Sequence, residues 1–107
     1  ADVLPYFRKL EATEFGEEQM RGRLGPLHVQ RLRSRHGMGE PFEAAAQATG
    51  LPYNPDYNGR AQDGVSPPQV TQRRGSRWSA ARAYLAKPPA NLDIVTGEEV
   101  QRVDVEG

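Results

Sequence analysis

Eleven glycines and nine prolines punctuate a chain of 107 residues, of which only 36% are apolar. Glycine costs backbone entropy inside helices and strands, and proline removes a hydrogen-bond donor and fixes its own φ. A chain interrupted this often builds short elements joined by ordered turns. Its length suits one domain, 1–107, and a domain of this size buries roughly 65% of the surface its unfolded chain exposes. With so few apolar residues the core must be thin. The sequence reads as a loop-rich domain or, in the reading we favour, as a piece that leans on something larger. It begins without methionine at Ala1-Asp2-Val3-Leu4-Pro5, a helix start, and both ends read as cut.

The punctuation sets the expected elements. Asp2 suits an N-cap, Pro5 falls in the first turn, and Val3, Phe7 and Leu10 share one face, which predicts a helix from about 3 to 12. Residues 11–24 read as loop, with a helical turn around Glu17–Met20. Leu27 and Val29 alternate in a short strand over 25–30, and 31–39 is loop. Pro41, the alanine-rich run Phe42–Thr49 and the stop at Gly50 predict a second helix. Turn formers dominate 51–64, followed by an extended segment over 65–73 that Pro67-Pro68 marks as an edge or a break. Ser79 suits the cap of a third helix over 80–85, which Lys87-Pro88-Pro89 ends. Leu92 and Ile94 alternate in one strand, Val103 and Val105 in another, with Thr96-Gly97-Glu98 turning between them. The expected class is α+β: short helices with a small, mainly antiparallel sheet, as part of a larger fold.

Fourteen basic residues balance fourteen acidic ones, so the chain lacks the field of a nucleic-acid binder. The distribution is uneven. Residues 21–35 carry Arg21, Arg23, Arg31, Arg33 and Arg35 with no acid, and the end of the chain carries Asp93, Glu98, Glu99, Asp104 and Glu106 against Arg102. These are solvated faces, or faces that meet a partner domain. An anion grip by Arg31-x-Arg33-x-Arg35 is the rival reading, but no aromatic residues interleave there to stack bases. Cysteine is absent, which excludes disulfides and thiolate chemistry. No apolar run approaches the ~20 residues of a membrane span, and no signal peptide is visible, so a cytoplasmic protein is expected.

Cofactor and catalytic signatures are missing as well. There is no G-x-G-x-x-G after a strand, no phosphate loop, and no zinc-ligand set with two separated histidines. His28 on the candidate strand and His36 in an arginine-flanked loop lack neighbours that would tune a general base. Ser66 and Ser76 have no nucleophile context, Ser79 is better read as a cap, and Glu98-Glu99 as solvated. Asp56 and Asp63 lie in the turn-rich loop, where they are expected to hold backbone N–H groups.

One set of motifs runs the length of the chain. It comprises Asp2-Val3-Leu4-Pro5-Tyr6-Phe7-Arg8-Lys9, Gly25-Pro26-Leu27-His28-Val29, Phe42-Glu43-Ala44-Ala45 through Gly50-Leu51-Pro52, and Asp56-Tyr57-Asn58-Gly59 with Gly64-Val65. It continues with Gln69-x-Thr71, Gly75-x-Arg77-x-Ser79-Ala80, Tyr84-Leu85 and Asn91-Leu92-x-Ile94-x-Thr96. In this order and spacing the chain resembles the middle of the glucose-methanol-choline (GMC) oxidoreductases. It departs from them at Arg21, where the family often has histidine before glycine, at Pro67-Pro68, at Trp78 in place of a small residue, and at the short Lys87–Ala90 link.

The resemblance implies an FAD-dependent enzyme that oxidises alcohols, choline dehydrogenase-like, as a dehydrogenase or an oxidase. An alcohol loses its hydroxyl proton to a base and a hydride to the flavin, the cofactor carrying the redox chemistry. About 1–90 would belong to the substrate domain, and about 91–107 would be strands returning to the FAD-binding domain. The implied partners are FAD, a small alcohol and the remainder of the enzyme. The family's catalytic histidine and its partner, and its N-terminal phosphate loop, correspond to nothing in this sequence, so no catalytic or metal-binding residue is expected here. One cofactor contact carries over: the backbone of Val100 against the FAD adenine. The chain alone cannot build both sides of a hydride-transfer site and is expected to be inactive in isolation. The rival classes are a non-catalytic interaction or scaffold module derived from that family and the anion binder above.

Overall fold

A computed structural model describes residues 3–105. Helix α1 (Leu4–Leu10) leads directly into strand β1 (Glu11–Thr13). Strand β2 (Leu27–Arg31), helix α2 (Gly39–Ala48), strands β3 (Gln69–Val70), β4 (Gln72–Arg73) and β5 (Ser76–Arg77), and helix α3 (Ala80–Tyr84) follow. Strands β1, β2 and β3 form one sheet in that order, and β4 and β5 form a separate hairpin. β1 runs parallel to β2 with Glu11 opposite Leu27, whereas β2 and β3 are antiparallel with Gln30 opposite Val70. The expected α+β arrangement of short helices and small, mainly antiparallel sheets is what forms, with β1–β2 the one parallel strand pair among the described residues beside an isolated parallel bridge between Tyr53 and Val65.

Local chemistry explains most boundaries. Pro5 sits in the first turn of α1, and Arg8 and Lys9 face the negative end of its dipole. The Asp2 cap lies outside the described residues. α1 stops two residues before the expected end because Glu11 turns extended and joins β2. α2 starts earlier than expected, at Gly39, where the Met38 N–H is received by His36 Nδ1 at 3.2 Å. It closes at Gly50, which has φ +97° and donates to the Gln47 carbonyl. The turn at Glu17–Met20 is present, with Met20 and Arg21 N–H both donating to the Glu17 carbonyl at 2.9 Å. Ser79 caps α3 by accepting from Arg82 N at 3.3 Å.

Within the extended segment 65–73, strand structure begins only after Pro67-Pro68, and β4 folds back onto β5. Arg74 and Gly75 connect these strands with φ of 52° and 80°. Positive φ at both central residues is the two-residue hairpin turn whose twist matches the strands it joins. The Trp78 N–H then bonds the Thr71 carbonyl at 2.9 Å, and its Nε1–H reaches back to the Pro26 carbonyl at 2.8 Å, tying the hairpin to the entry of β2. Trp78, one of the departures from the family pattern, is therefore a structural link.

The two strands expected over residues 91–105 do not form. Leu92, Ile94, Val100, Val103 and Val105 all lie in irregular, exposed chain, with a bend at Gly97. Strands need a partner to take their backbone N–H and C=O groups, and no neighbouring segment here offers one.

Val65 is the only buried apolar side chain among the described residues. The chain exposes 8933 Å², against about 6,000 Å² for a compact monomer of its mass. Its radius of gyration is 18.0 Å, against ~13 Å for an ordinary domain of this length. No helix among the described residues is long and apolar enough to cross a membrane.

The hairpin turn yields the first prediction. Arg74→Asn, a residue that tolerates positive φ, should slow exchange of the Trp78 amide, and Gly75→Val should accelerate it at a cost of about 1–2 kcal/mol. Hydrogen exchange at that amide distinguishes the two.

Candidate functional site: a buried arginine cluster beside apolar grooves

The sequence spreads Glu11, Arg21, Asp56 and Gln69 over four segments, and the fold brings them together. Arg21 has only 2% of its side chain exposed. Its Nε and Nη2 donate to the two Glu11 carboxylate oxygens at 2.9 and 2.7 Å, the bidentate fork that a guanidinium offers and an ammonium does not. Its Nη1 pairs with Asp56 Oδ1 and also donates to Gln69 Oε1 at 3.0 Å. Gln69 Nε2 closes the ring on Asp56 Oδ1 at 2.8 Å, and the Gln69 backbone N–H is held by the Tyr57 hydroxyl at 2.8 Å. The Phe15 ring lies under the guanidinium, its centre 5.3 Å from the guanidinium carbon. Burial pulls the Arg21 pKa down, but the hydrogen bond and charge of Glu11, and then the charge of Asp56, outweigh it and raise the net value.

The loop carrying Asp56 is built around a second buried polar residue. Asn54 Nδ2 donates to the Ala61 and Asp63 carbonyls, its Oδ1 accepts from Asp56 N at 2.9 Å, and its backbone pairs with Val65. Asp56 opens a four-residue turn in which the Gly59 N–H bonds the Asp56 carbonyl at 2.8 Å and Asn58 N donates to Asp56 Oδ1 at 3.3 Å. Asp56 thus holds backbone N–H groups as expected and also pairs with Arg21. Its Oδ2 is buried with no hydrogen-bond partner and faces Gly16, where a Cβ would lie 2.1 Å away. Gly16 has φ +80°, so glycine is required there on both counts.

The remaining arginines of the acid-free stretch are largely absorbed by internal contacts. Arg23 donates to the carbonyls of Thr13, Phe15 and Gly16. Arg31 lies 4.8 Å from the Phe15 ring centre, and Arg35 pairs with Glu43 on α2. Expected as solvated or partner-facing charges, the five arginines of this stretch include one, Arg21, that is fully buried. β2 ends at Arg31, the chain bends at residues 33 and 34, and Arg35 is bound to α2, so residues 31–35 are not the single extended segment that the anion-grip reading needs.

His28 lies on β2 with its ring edge-on to Trp78, centroids 5.4 Å apart. Partial burial and then the charge of Arg73 lower its pKa below 6.5, partly offset by Glu14. Val100 is 78% exposed in the irregular tail, and its backbone makes no hydrogen bond to the described residues. Neither histidine is brought into a catalytic group, and no cluster of metal-ligating side chains occurs among the described residues. An apolar cavity of about 640 Å³ lies between Val3, Tyr6, Phe7 and Leu10 of the α1 region, Pro26, and Tyr84 of α3. A second, of about 420 Å³, is bordered by Phe7, Met20, Arg21, Asn58 and Gly59.

This scaffold matches the model of a known family, GMC oxidoreductase, over residues 1–107. The chain belongs to the GMC oxidoreductase family. It is 42% identical over 99 residues to an oxygen-dependent choline dehydrogenase of Brucella ovis, a match covering 91% of this chain and 18% of that protein. It is 46% identical over 97 residues to one from Sinorhizobium medicae, covering 89% of this chain and 18% of that protein. The crystal structure of pyridoxine 4-oxidase from Mesorbium loti superimposes with a TM-score of 0.74 at 30% identity, over 80% of this chain and 17% of that one. The chain therefore spans less than a fifth of the length of these GMC relatives.

Sequence reasoning did not find the Arg21 cluster, because its members are 10, 35 and 48 residues from Arg21 and share no local pattern. The one available signal was the departure at Arg21 itself. Removing Arg21 strands two largely buried carboxylates. Arg21→Ala should cost about 3–5 kcal/mol in denaturant unfolding of the protein, and Arg21→Lys should recover part of that loss but not the bidentate geometry. The lowered pKa of His28 favours its neutral form in the fold. The stability this contributes is full above about pH 6.5 and is lost as pH falls through the lowered value. Stability measured against pH should therefore decline below that point, and less steeply in His28→Gln.

Proposed function

We propose that this chain is part of a cytoplasmic, FAD-dependent oxidoreductase that oxidises the CH–OH group of a small alcohol, with residues of about 1–90 in its substrate domain and about 91–107 returning to its FAD-binding domain. The observation that carries the reading is the 42–46% identity to oxygen-dependent choline dehydrogenases across nine-tenths of the chain. The apolar grooves and the accessible surface in excess of a compact monomer support a fragment that packs against the remainder of the enzyme. The exposed tail supports the return to another unit, since the Leu92/Ile94 and Val103/Val105 alternation is that of strands.

Val100 fits the single cofactor contact assigned to it. Its side chain projects into solvent and its backbone is uncommitted among the described residues, so the N–H and C=O are free to meet the adenine edge of FAD. When bound, FAD supplies the hydride acceptor. The residues described here position, through the Arg21 cluster, the loop and strands that would face the substrate side. Among the described residues no side chain is placed to take the alcohol proton, and the isolated chain is inactive in this reading.

Two measurements test it. The full-length enzyme should bind FAD and reduce it on addition of a small alcohol such as choline, while the 107-residue chain does neither; turnover by the isolated chain would overturn the fragment reading. In the full-length enzyme, Val100→Ala should leave FAD affinity unchanged, and Val100→Pro, which removes the N–H, should weaken it about ten-fold, the value of roughly one hydrogen bond. Equal affinity for all three proteins would remove Val100 from the cofactor site.

A further inference from the structure

The amide of Asn58 is left unused by the function proposed above, and its chemistry is distinctive. A backbone nitrogen that follows an asparagine can attack the side-chain Cγ, and glycine obstructs that approach least because it has no Cβ. Asn58 is followed by Gly59, whereas Asn54 precedes Pro55, whose nitrogen carries no hydrogen, and Asn91 precedes the bulky Leu92. Asn58 is exposed and borders the 420 Å³ cavity, so water reaches it. Yet both reacting groups are held. The Gly59 N–H donates to the Asp56 carbonyl at 2.8 Å, and Asn58 Nδ2 donates to Gln69 Oε1 at 3.0 Å. The same Gln69 oxygen receives Arg21 Nη1, and Gln69 Nε2 holds Asp56.

The geometry points to Asn58 as a deamidation site that the Arg21 cluster keeps latent. When the cluster opens, Gly59 N is released from Asp56 and Asn58 Nδ2 from Gln69. A bond forms between Gly59 N and Asn58 Cγ, the Cγ–Nδ2 bond breaks, and ammonia leaves with the proton from Gly59 N. One water then opens the resulting succinimide. Cleavage at Cγ leaves aspartate, and cleavage at the backbone carbonyl leaves isoaspartate. No redox change occurs. The product cannot restore the original contact, because a carboxylate then faces Gln69 Oε1 where an amide had donated. That carboxylate also lies beside a cluster in which one guanidinium already answers two carboxylates. Each opening that ends in deamidation is therefore a permanent loosening of the turn, and Asn58 records how often the cluster opens. Asparagine lability of this kind is one reason such residues are depleted from proteins that work hot.

The test uses the full-length enzyme, incubated in mildly alkaline buffer and followed by tryptic mass mapping. The peptide between Arg35 and Arg60 contains both Asn54 and Asn58, and its fragment ions place the amide-to-acid mass gain. A free peptide of the same sequence gives the unprotected rate. The wild-type enzyme should convert Asn58 many-fold more slowly than the peptide. Gln69→Leu, which removes the acceptor for Nδ2, should convert it several-fold faster than wild type. Trp78→Phe loses a hydrogen bond elsewhere in the fold and should stay at the wild-type rate. If Gln69→Leu fails to fold, Arg21→Lys serves in its place with the same expected acceleration. Wild-type conversion at the peptide rate, no acceleration in the cluster variant, or equal acceleration in Trp78→Phe would each overturn the inference, the last by showing that global unfolding controls the reaction.

Discussion

A single guanidinium organises this chain. Arg21 is buried among groups that arrive from β1, from the Asp56 loop and from β3, and its five N–H donors are what allow one side chain to join all three. Taking such a charge out of water is expensive, and attraction to two carboxylates offsets that cost only when the geometry is right. A buried ion cluster therefore does more to specify an arrangement than to stabilise it. A pairing that buried Arg21 without these carboxylates would leave a charge unanswered. The glycines around the cluster are held by close approach: Gly16 has no room for a Cβ beside Asp56, and a Cβ at Gly22, whose N–H donates to Glu11 at 3.0 Å, would lie 2.1 Å from the Arg8 carbonyl oxygen.

Specification by polar contacts suits a chain that does not hold much apolar surface of its own. Val65 alone among the described residues is an apolar side chain out of water, while Tyr6, Phe7 and Phe42 remain more than half exposed. Large apolar side chains gathered on a protein surface mark places where another surface belongs. The polar cluster fixes the shape of the piece, and the apolar faces are left for packing. This division of labour is what a segment covering less than a fifth of its relatives requires, since its hydrophobic stabilisation must be completed elsewhere.

Sequence periodicity revealed the elements whose causes are local. The second helix follows from its alanine run and Gly50, the third from Ser79, and β2 from alternating Leu27 and Val29, because propensity, caps and alternation act within a few residues. β1 was hidden because Ala12 and Thr13 carry no strand pattern. They are extended because β2 and Gly22 supply their backbone partners, Thr13 N–H reaching the Gly22 carbonyl at 3.0 Å. The hairpin was hidden because Arg74 occupies a position where Asn or Gly would have announced the turn. The Asp56-Tyr57-Asn58-Gly59 loop was legible as a turn and through its family resemblance, but its pairing with Arg21 was not, since contacts that distant in sequence leave no local trace.

The tail stays irregular for the complementary reason. The alternation of Leu92 with Ile94 and of Val103 with Val105 is a sound strand signal, and the backbone there nevertheless stays unpaired. Alternation states which face of a strand would be buried, but it cannot supply the neighbouring strand that takes the hydrogen bonds. The expectation and the structure are reconciled if the missing neighbour lies outside this chain, as the function proposed above has it. An unpaired apolar segment is also an adhesive edge in an isolated chain. Because hydrogen bonding along its backbone and burial of its alternating face arrive together when it docks, strand formation in the tail should be as cooperative as docking itself. The Arg21 cluster closes through contacts within this chain, so it does not depend on that event. The piece thus carries its internal order in charges and turns and defers its apolar order to assembly.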